Sequence, residues 1–225
     1  MSNWDTELNA LYRNEGGADD ELTFRYATYQ IGLSGLGNNV TAWGATWADF
    51  DLDTDEDLLV VHGHVPMTDK DGDAQLIRLY GNRLAEGKPD QWQDWTELAG
   101  LGSDGVGRLN ARGSAVADFD NDGDLDVAVN VVGGHLVLLV NTAANGNYLQ
   151  IELTESAPNA AATVTLSNGT TLVRERHIGS SYLSAEDPRF HFGVGDHAIE
   201  QVVVRWGKRE MVFDEVDVNQ TLVVP

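Results

Sequence analysis

The sequence contains no cysteine and few basic residues, and each shortage excludes a class of protein. Without cysteine the chain carries no disulfide, no thiolate zinc site and no thiol nucleophile. Lysine and arginine together number 14 against 36 aspartates and glutamates, which gives a formal net charge of −22. Nucleic acids and anionic membrane surfaces are bound through basic faces, so neither is an expected partner.

Long hydrophobic runs are also missing, so insertion into a membrane is not expected. The first residues, Met1 to Asp5, have neither the basic nor the apolar segment of a secretory signal peptide. We therefore expect either an intracellular chain or a trimmed or recombinant form of an exported protein. The 225 residues, 42% of them hydrophobic, are enough for one large or two small folded domains.

Aspartate is abundant, and its most regular arrangement lies in residues 118–126, directly before an apolar strand. Calcium takes about six to eight oxygen ligands, which a tight loop of alternating aspartates can supply. Gly123 would provide the positive φ that such a loop requires. The alternative is a solvated acidic turn. We expect Asp124 to bind through its backbone carbonyl and four aspartates to bind Ca²⁺ through their side chains: Asp118, Asp120, Asp122 and Asp126.

The same spacing occurs 69 residues earlier, again before an apolar strand. A second marker repeats at nearly the same interval: Leu-Tyr-x-Asn stands at 11–14 and at 79–82, and a looser form at 138–141. A fixed internal period with strand-forming content indicates repeat architecture. The first copy predicts a second calcium site formed by Asp49, Asp51, Asp53, Asp55 and Asp57.

Neither loop is an EF-hand. That motif needs a glutamate at position 12 and flanking helices, whereas position 12 is Val60 or Val129 and both loops lead into strands.

Thr54 replaces the loop glycine in the first copy. If both loops shared one backbone shape, a β-branched residue there would be strained by roughly 1–2 kcal/mol. We therefore expect the Asp49 loop to be weaker or differently shaped.

The chain reads as all-β in two parts. Residues 1–144 alternate short strands with Gly, Asn and Asp turns, as propeller blades do. Residues 145–225 read as a small antiparallel β domain, with hairpins at 164–173 and 202–212. The predicted fold is a partial β-propeller of about two blades followed by this domain. A further acidic segment, 69–73, reads as a solvated loop.

Together these features resemble a known pairing of families. The acidic loops are similar to the FG-GAP or VCBS repeat of integrin-type β-propellers, and Gly63-His64-Val65 and Arg112-Gly113 fit that pattern. The C-terminal region resembles the ASPIC/UnbV domain through four segments. These are Gly-Ser-Ser-Tyr-Leu-Ser at 179–184, Asp-Pro-Arg at 187–189, His-Phe-Gly-Val-Gly at 191–195 and Val-Arg-Trp at 204–206.

The resemblance implies a calcium-binding, exported protein with an adhesive or interaction role and no common catalytic activity. We expect an extracellular, cell-surface or periplasmic location. Propellers of this type use about seven blades, so this chain would leave open strand edges. Those edges would be covered by its own C-terminal domain or paired with another copy, in a ring or a filament.

The leading functional prediction is therefore a non-enzymatic, calcium-stabilised module for binding, adhesion or self-assembly. A carbohydrate-binding, lectin-like module is the alternative, because the six tryptophans could stack on sugars. A hydrolase using paired carboxylates or a metal is less favoured. The sequence has no Gly-x-Ser-x-Gly, His-Glu-x-x-His or P-loop motif. His62 and His64 could share a strand face and hold a transition metal, but with no third ligand evident we expect ordinary packing or surface roles for both. His191 is expected to be a core or hydrogen-bonded histidine.

Overall fold

The structure is a computed structural model that describes residue 3 and residues 7–16, 22–33, 39–102, 105–177 and 179–225. Every regular element in this described part is a β-strand, which confirms the all-β prediction. The strands form several small sheets, and none of the sheets closes on itself. No helix among the described residues is long and apolar enough to cross a membrane.

Among the described residues, eleven strands precede residue 145, and they form four of the sheets. The largest has the order β3-β4-β6-β7, and a second has the order β11-β10-β9; β1 pairs with β2, and β5 with β8. Each acidic loop therefore connects two neighbouring strands of one sheet. The strands are β1 (Tyr12–Asn14), β2 (Phe24–Tyr26), β3 (Ala42–Ala48), β4 (Asp57–His62), β5 (Gln75–Leu76), β6 (Arg78–Asn82), β7 (Trp92–Asp94), β8 (Arg108–Leu109), β9 (Ala111–Ala117), β10 (Asp126–Val131) and β11 (Val137–Leu139).

Seven strands follow in the part of 145–225 that the structure describes, in two sheets of order β15-β12-β18 and β14-β13-β16-β17. Both predicted hairpins are present: Thr165 pairs with Thr171 around the Asn-Gly turn, and Trp206 pairs with Arg209 around Gly-Lys. The strands are β12 (Asn147–Leu153), β13 (Ala161–Leu166), β14 (Thr171–Glu175), β15 (Phe190–Gly195), β16 (Ile199–Trp206), β17 (Arg209–Asp214) and β18 (Gln220–Val224).

One pairing in this region departs from the expected antiparallel pattern. Strand β18 runs parallel to β12, with Leu149 opposite Gln220 and Leu153 opposite Val224. The chain reaches β18 from β17, which belongs to the other sheet, so no hairpin fixes its direction. Alternation along a strand determines which face is buried but leaves the direction of pairing open.

Contacts within the chain group it into two compact units. One unit comprises residues 1–47, 57–114 and 129–137, and the other comprises 48–56, 115–128 and 138–225. Most of each acidic loop thus belongs to the same unit as the C-terminal strands. The division into domains 1–144 and 145–225 stays a prediction.

Each unit has its own apolar core. In the first, Leu58 and Val60 of the fully buried strand β4 pack with Tyr80 of β6 and with Ile31 and Leu33. In the second, alternate residues of the strands face one another between the two sheets, as half-buried strands require. This larger core includes Leu149, Ile151, Val164, Leu166, Phe190, Phe192, Val194, Val202, Val204 and Trp206.

His62 lies at the end of β4 and is completely buried. Its Nδ1 donates a hydrogen bond to the carbonyl of Leu76 over 2.8 Å, so of the two expected roles, packing or surface, the histidine has the packed one. Burial lowers the pKa of His62 to about 4, because the charged imidazolium would lose its hydration. His62 is therefore neutral in the folded protein at ordinary pH.

Acidification should destabilise the fold through His62. The unfolded chain takes up a proton near the ordinary pKa of 6.5, whereas the folded chain does so only near 4. Stability that is fully present above about pH 6.5 is therefore lost as the pH falls through this window, by on the order of 3 kcal/mol. Urea unfolding between pH 7 and pH 4, compared with His62→Gln, isolates this contribution. Equal pH dependence in the two proteins would contradict it.

Candidate metal centre

The loop between β9 and β10 is organised by the buried carboxylate of Asp118. Oδ1 of Asp118 accepts the N–H of Asp122, and its Oδ2 accepts the N–H of Gly123, each at 3.1 Å. Asp122 in turn accepts the N–H of Asp124 at 3.0 Å. The resulting turn brings carboxylate oxygens of Asp118, Asp120 and Asp122 within 4.8 Å of one another.

The loop after β3 repeats this arrangement residue by residue. Asp49 accepts the N–H groups of Asp53 at 3.1 Å and Thr54 at 3.0 Å. Asp53 accepts the N–H of Asp55 at 3.0 Å. Carboxylate oxygens of Asp49, Asp51 and Asp53 again lie within 4.8 Å of one another. In both loops, the aspartates at the first, third and fifth positions of the predicted motif therefore lie close together.

The two loops also share their backbone conformation. The fourth positions, Leu52 and Asn121, have φ values of 63° and 61°, and the sixth positions, Thr54 and Gly123, have 94° and 100°. The expectation of a differently shaped Asp49 loop is thus wrong, although weaker binding there stays a prediction. The physical reason is the paired hydrogen bonds to Asp49, which impose the same turn on Thr54 despite its branched side chain.

The ninth positions have a role that the spacing did not predict. Asp126 is buried, and its two oxygens accept the N–H groups of Phe119 at 2.9 Å and Asn141 at 2.8 Å. Asp57 accepts the N–H of Asn82 at 2.9 Å. Asn82 and Asn141 are the last residues of two copies of the repeated marker. The ninth aspartate of each loop therefore accepts a hydrogen bond from the last residue of the Leu-Tyr-x-Asn marker in its own repeat.

The predicted ligands therefore divide into two groups. Three in each loop lie together, as described above. The other four lie outside these two three-carboxylate clusters: Asp55, Asp57, Asp124 and Asp126. A carboxylate oxygen of Asp55 nevertheless lies within 4.8 Å of one of Asp53.

The electrostatics of the clusters favour a cation. Burial, together with the charges of Asp53 and Asp51, raises the pKa of Asp49 to about 8, even though two N–H bonds lower it. Desolvation and the charge of Asp122 likewise raise the pKa of Asp120 and of Asp124. Crowded carboxylates that resist ionisation are stabilised by a positive charge among them. The donors are all oxygens, which suits a hard ion such as Ca²⁺.

Side chains from β12 and from the segment before β15 complete the surroundings of Asp118. The buried Gln150 donates through Nε2 to Oδ2 of Asp118, and its Oε1 accepts from Arg189 at 2.8 Å and from Thr221 at 3.2 Å. Because arginine only donates, the amide oxygen must face Arg189 and the amide N–H must face the carboxylate. Sequence reasoning missed Gln150 because no motif distinguishes it from other strand residues.

The shared turn predicts opposite effects of two substitutions at the sixth position. Thr54→Gly removes the strain of a β-branched residue at φ 94°, so it should stabilise the calcium-free protein by about 0.5–1 kcal/mol after the entropy cost of glycine. Gly123→Ala should destabilise it, since the added Cβ would lie 2.0 Å from Cε1 of Tyr148. Urea unfolding in chelator measures both. Destabilisation by Thr54→Gly would show that the turn is not strained.

Comparison with known proteins bears on the C-terminal part. Residues 152–225 match the family model described as ASPIC and UnbV. None of the curated proteins compared matches this chain. The match includes Arg189 and the His-Phe-Gly-Val-Gly segment at 191–195, so the predicted resemblance holds for this region.

Proposed function

We propose that the chain is a calcium-stabilised binding or assembly module without catalytic activity. The observation that carries the proposal is the repeated loop geometry, in which two buried aspartates, Asp49 and Asp118, organise matching sets of three carboxylates. A chance acidic turn gives no reason for the same hydrogen bonds to recur in a second copy. In this proposal the loops belong to FG-GAP or VCBS-type repeats.

The role of the ion is structural. Calcium bound only to the folded form stabilises it by mass action, by about 2.7 kcal/mol at a hundredfold excess over the dissociation constant. The proposed location is extracellular, at the cell surface or periplasmic, where calcium modules bind in the range of about 0.1–1 mM. Within each loop the ion would bind the ionised carboxylates, whose negative charges are otherwise disfavoured by burial and mutual repulsion.

The open sheets support an interaction role. None of the sheets in the described part of the chain closes, so edge strands remain that can pair with another chain. A protein partner or a second copy of this chain is the proposed occupant, and head-to-tail pairing of copies would produce a ring or a filament. Light scattering after size exclusion, with calcium and with chelator, measures the assembly.

One observation favours carbohydrate as the alternative ligand. The ribbon β1–β2 and the turn after it expose four aromatic side chains, and the three tyrosines among them form a continuous edge-to-face row. Ring centroids of Tyr12 and Tyr26 lie 5.8 Å apart, and those of Tyr26 and Tyr29 lie 5.9 Å apart. Exposed tyrosines supply an apolar face with a polar edge, which suits a sugar. A glycan array with the parent chain and Tyr26→Ala distinguishes this module from an assembly module.

Calcium should raise the thermal stability of the parent protein through both loops. At a hundredfold excess over the dissociation constant, each site is expected to contribute several degrees to the melting temperature. Asp120→Ala should remove most of the calcium-dependent shift and Asp51→Ala a smaller part, because each deletes one ligand from one cluster and the Asp49 site is expected to bind more weakly. Thermal unfolding with calcium and with chelator measures the shift.

Asp71→Ala is the matched control for these variants. Asp71 is an exposed aspartate of the third acidic segment, so its removal changes the net charge equally without touching either cluster. The calcium-dependent shift should stay at the parent value in this variant. Equal melting temperatures of the parent in calcium and in chelator would remove the basis of the proposal.

A further inference from the structure

The two faces of strand β15 contact different parts of the protein. Phe190, Phe192 and Val194 point into the core of the C-terminal sheets and are at most 4% exposed. The alternate residues, His191 and Gly193, face the acidic loops, because successive residues of a strand point to opposite sides. The strand is thus anchored by its apolar face while its other face contacts the candidate ion sites.

One end of this strand holds the Asp118 loop. Nε2 of His191 donates to the carbonyl of Gly123 over 2.8 Å. The ring of Tyr148 stacks on His191, with centroids 6.0 Å apart and an interplanar angle of 6°. The same tyrosine ring occupies the space that a side chain at position 123 would need. His191 and Tyr148 therefore fix the backbone of the loop at its sixth position.

Arg189, directly before β15, holds the same loop at its first and fourth positions. Its NH2 donates to the carbonyl of Asp118 at 3.0 Å, and its NH1 donates to Oδ1 of Asn121 at 3.2 Å. The remaining N–H groups bond to Asp187 and Gln150. All five donors of the guanidinium thus have acceptors, which a lysine could not reproduce.

The other end of the strand holds the Asp49 loop. Gly195 donates its N–H to the carbonyl of Leu52 at 2.9 Å. A Cβ added at Gly193 would lie 2.1 Å from Oδ2 of Asp49, so the strand backbone reaches this carboxylate only because position 193 has no side chain. The Asp49 loop is therefore hydrogen-bonded to the strand at its fourth position and in close contact with it at its first.

We infer that β15 couples the two candidate calcium sites, with Arg189 and His191 as positioning residues for one and Gly193 for the other. The inference rests on the proposed function, since it concerns the affinity of the same loops. A loop that tightens around an ion pulls on contacts made by this strand. Because both loops contact this one strand, calcium in one loop orders contacts that the other loop also uses. Filling one site therefore lowers the conformational cost of filling the other and raises its affinity.

The coupling is measured by removing one calcium ligand from one loop and titrating the other loop with calcium. Calorimetric titration of the full chain with calcium gives the affinities in the parent, in Asp120→Asn and in Asp51→Asn. We expect the remaining site of each variant to bind about fivefold or more weakly than the same site in the parent. Linkage requires the two factors to be equal. Added salt screens the long-range electrostatic effect of the lost charge on calcium binding. Asp71→Asn, which removes one charge outside both loops, is the control for that effect.

Strand variants separate positioning from general destabilisation. Gly193→Ala should weaken the Asp49 site directly and reduce the coupling factor. Arg189→Lys should do the same at the Asp118 site, with the parent circular-dichroism spectrum retained in both. Because Asp120 is exposed, the Asp120→Asn arm remains decisive even if Asp51→Asn fails to fold.

The possible results distinguish the two proposals. Binding at both loops with affinities unchanged within twofold in the single-site variants would overturn the coupling and leave the calcium module standing. Absence of calcium binding by the folded parent at millimolar concentration would overturn the proposed function itself. A reciprocal loss in both single-site variants supports the coupling.

Discussion

Crowding of like charges in two short loops is the constraint on which the second compact unit depends. Asp49 and Asp118 are buried, and each uses both carboxylate oxygens to fold the next five residues over itself. This fold places two further carboxylates beside each of them. The arrangement is unfavourable for isolated anions and favourable around a hard cation.

The C-terminal strands explain how the loops keep this shape. Gln150 faces Asp118, and the strand from Phe190 to Gly195 contacts both loops along one edge. The strand residues therefore contribute more than packing: His191 donates a hydrogen bond to the carbonyl of Gly123, and Gly193 allows the strand backbone to approach the Asp49 carboxylate. In this account the region that matches the ASPIC and UnbV model acts as a support for the acidic loops.

Much of the local structure could be predicted from the sequence because it depends on short-range patterns. The aspartate spacing identified the three-carboxylate clusters, and Asn168-Gly169 identified a hairpin that the structure contains. The contact of Arg189 with Asp118 joins residues 71 positions apart, and no local pattern carries such information. The same holds for Gln150, which reads simply as a polar residue of a half-buried strand.

Other features depend on which of two opposing interactions is the stronger, and the residue types alone do not show this. Thr54 was expected to change the loop shape, but the N–H groups of residues 53 and 54 both find Asp49, and these bonds outweigh the strain. The ninth aspartates looked like ligands by spacing. The structure shows that Asp57 and Asp126 accept backbone N–H groups from the repeated marker, which only tertiary contacts reveal.

We propose that both loops enclose a hard cation, and anomalous diffraction from crystals of the full chain grown with terbium in place of calcium would locate it. We expect two anomalous peaks per chain, one among Asp49, Asp51 and Asp53 and one among Asp118, Asp120 and Asp122. Well-ordered loops without a peak at millimolar terbium, and likewise without density for calcium, would contradict it.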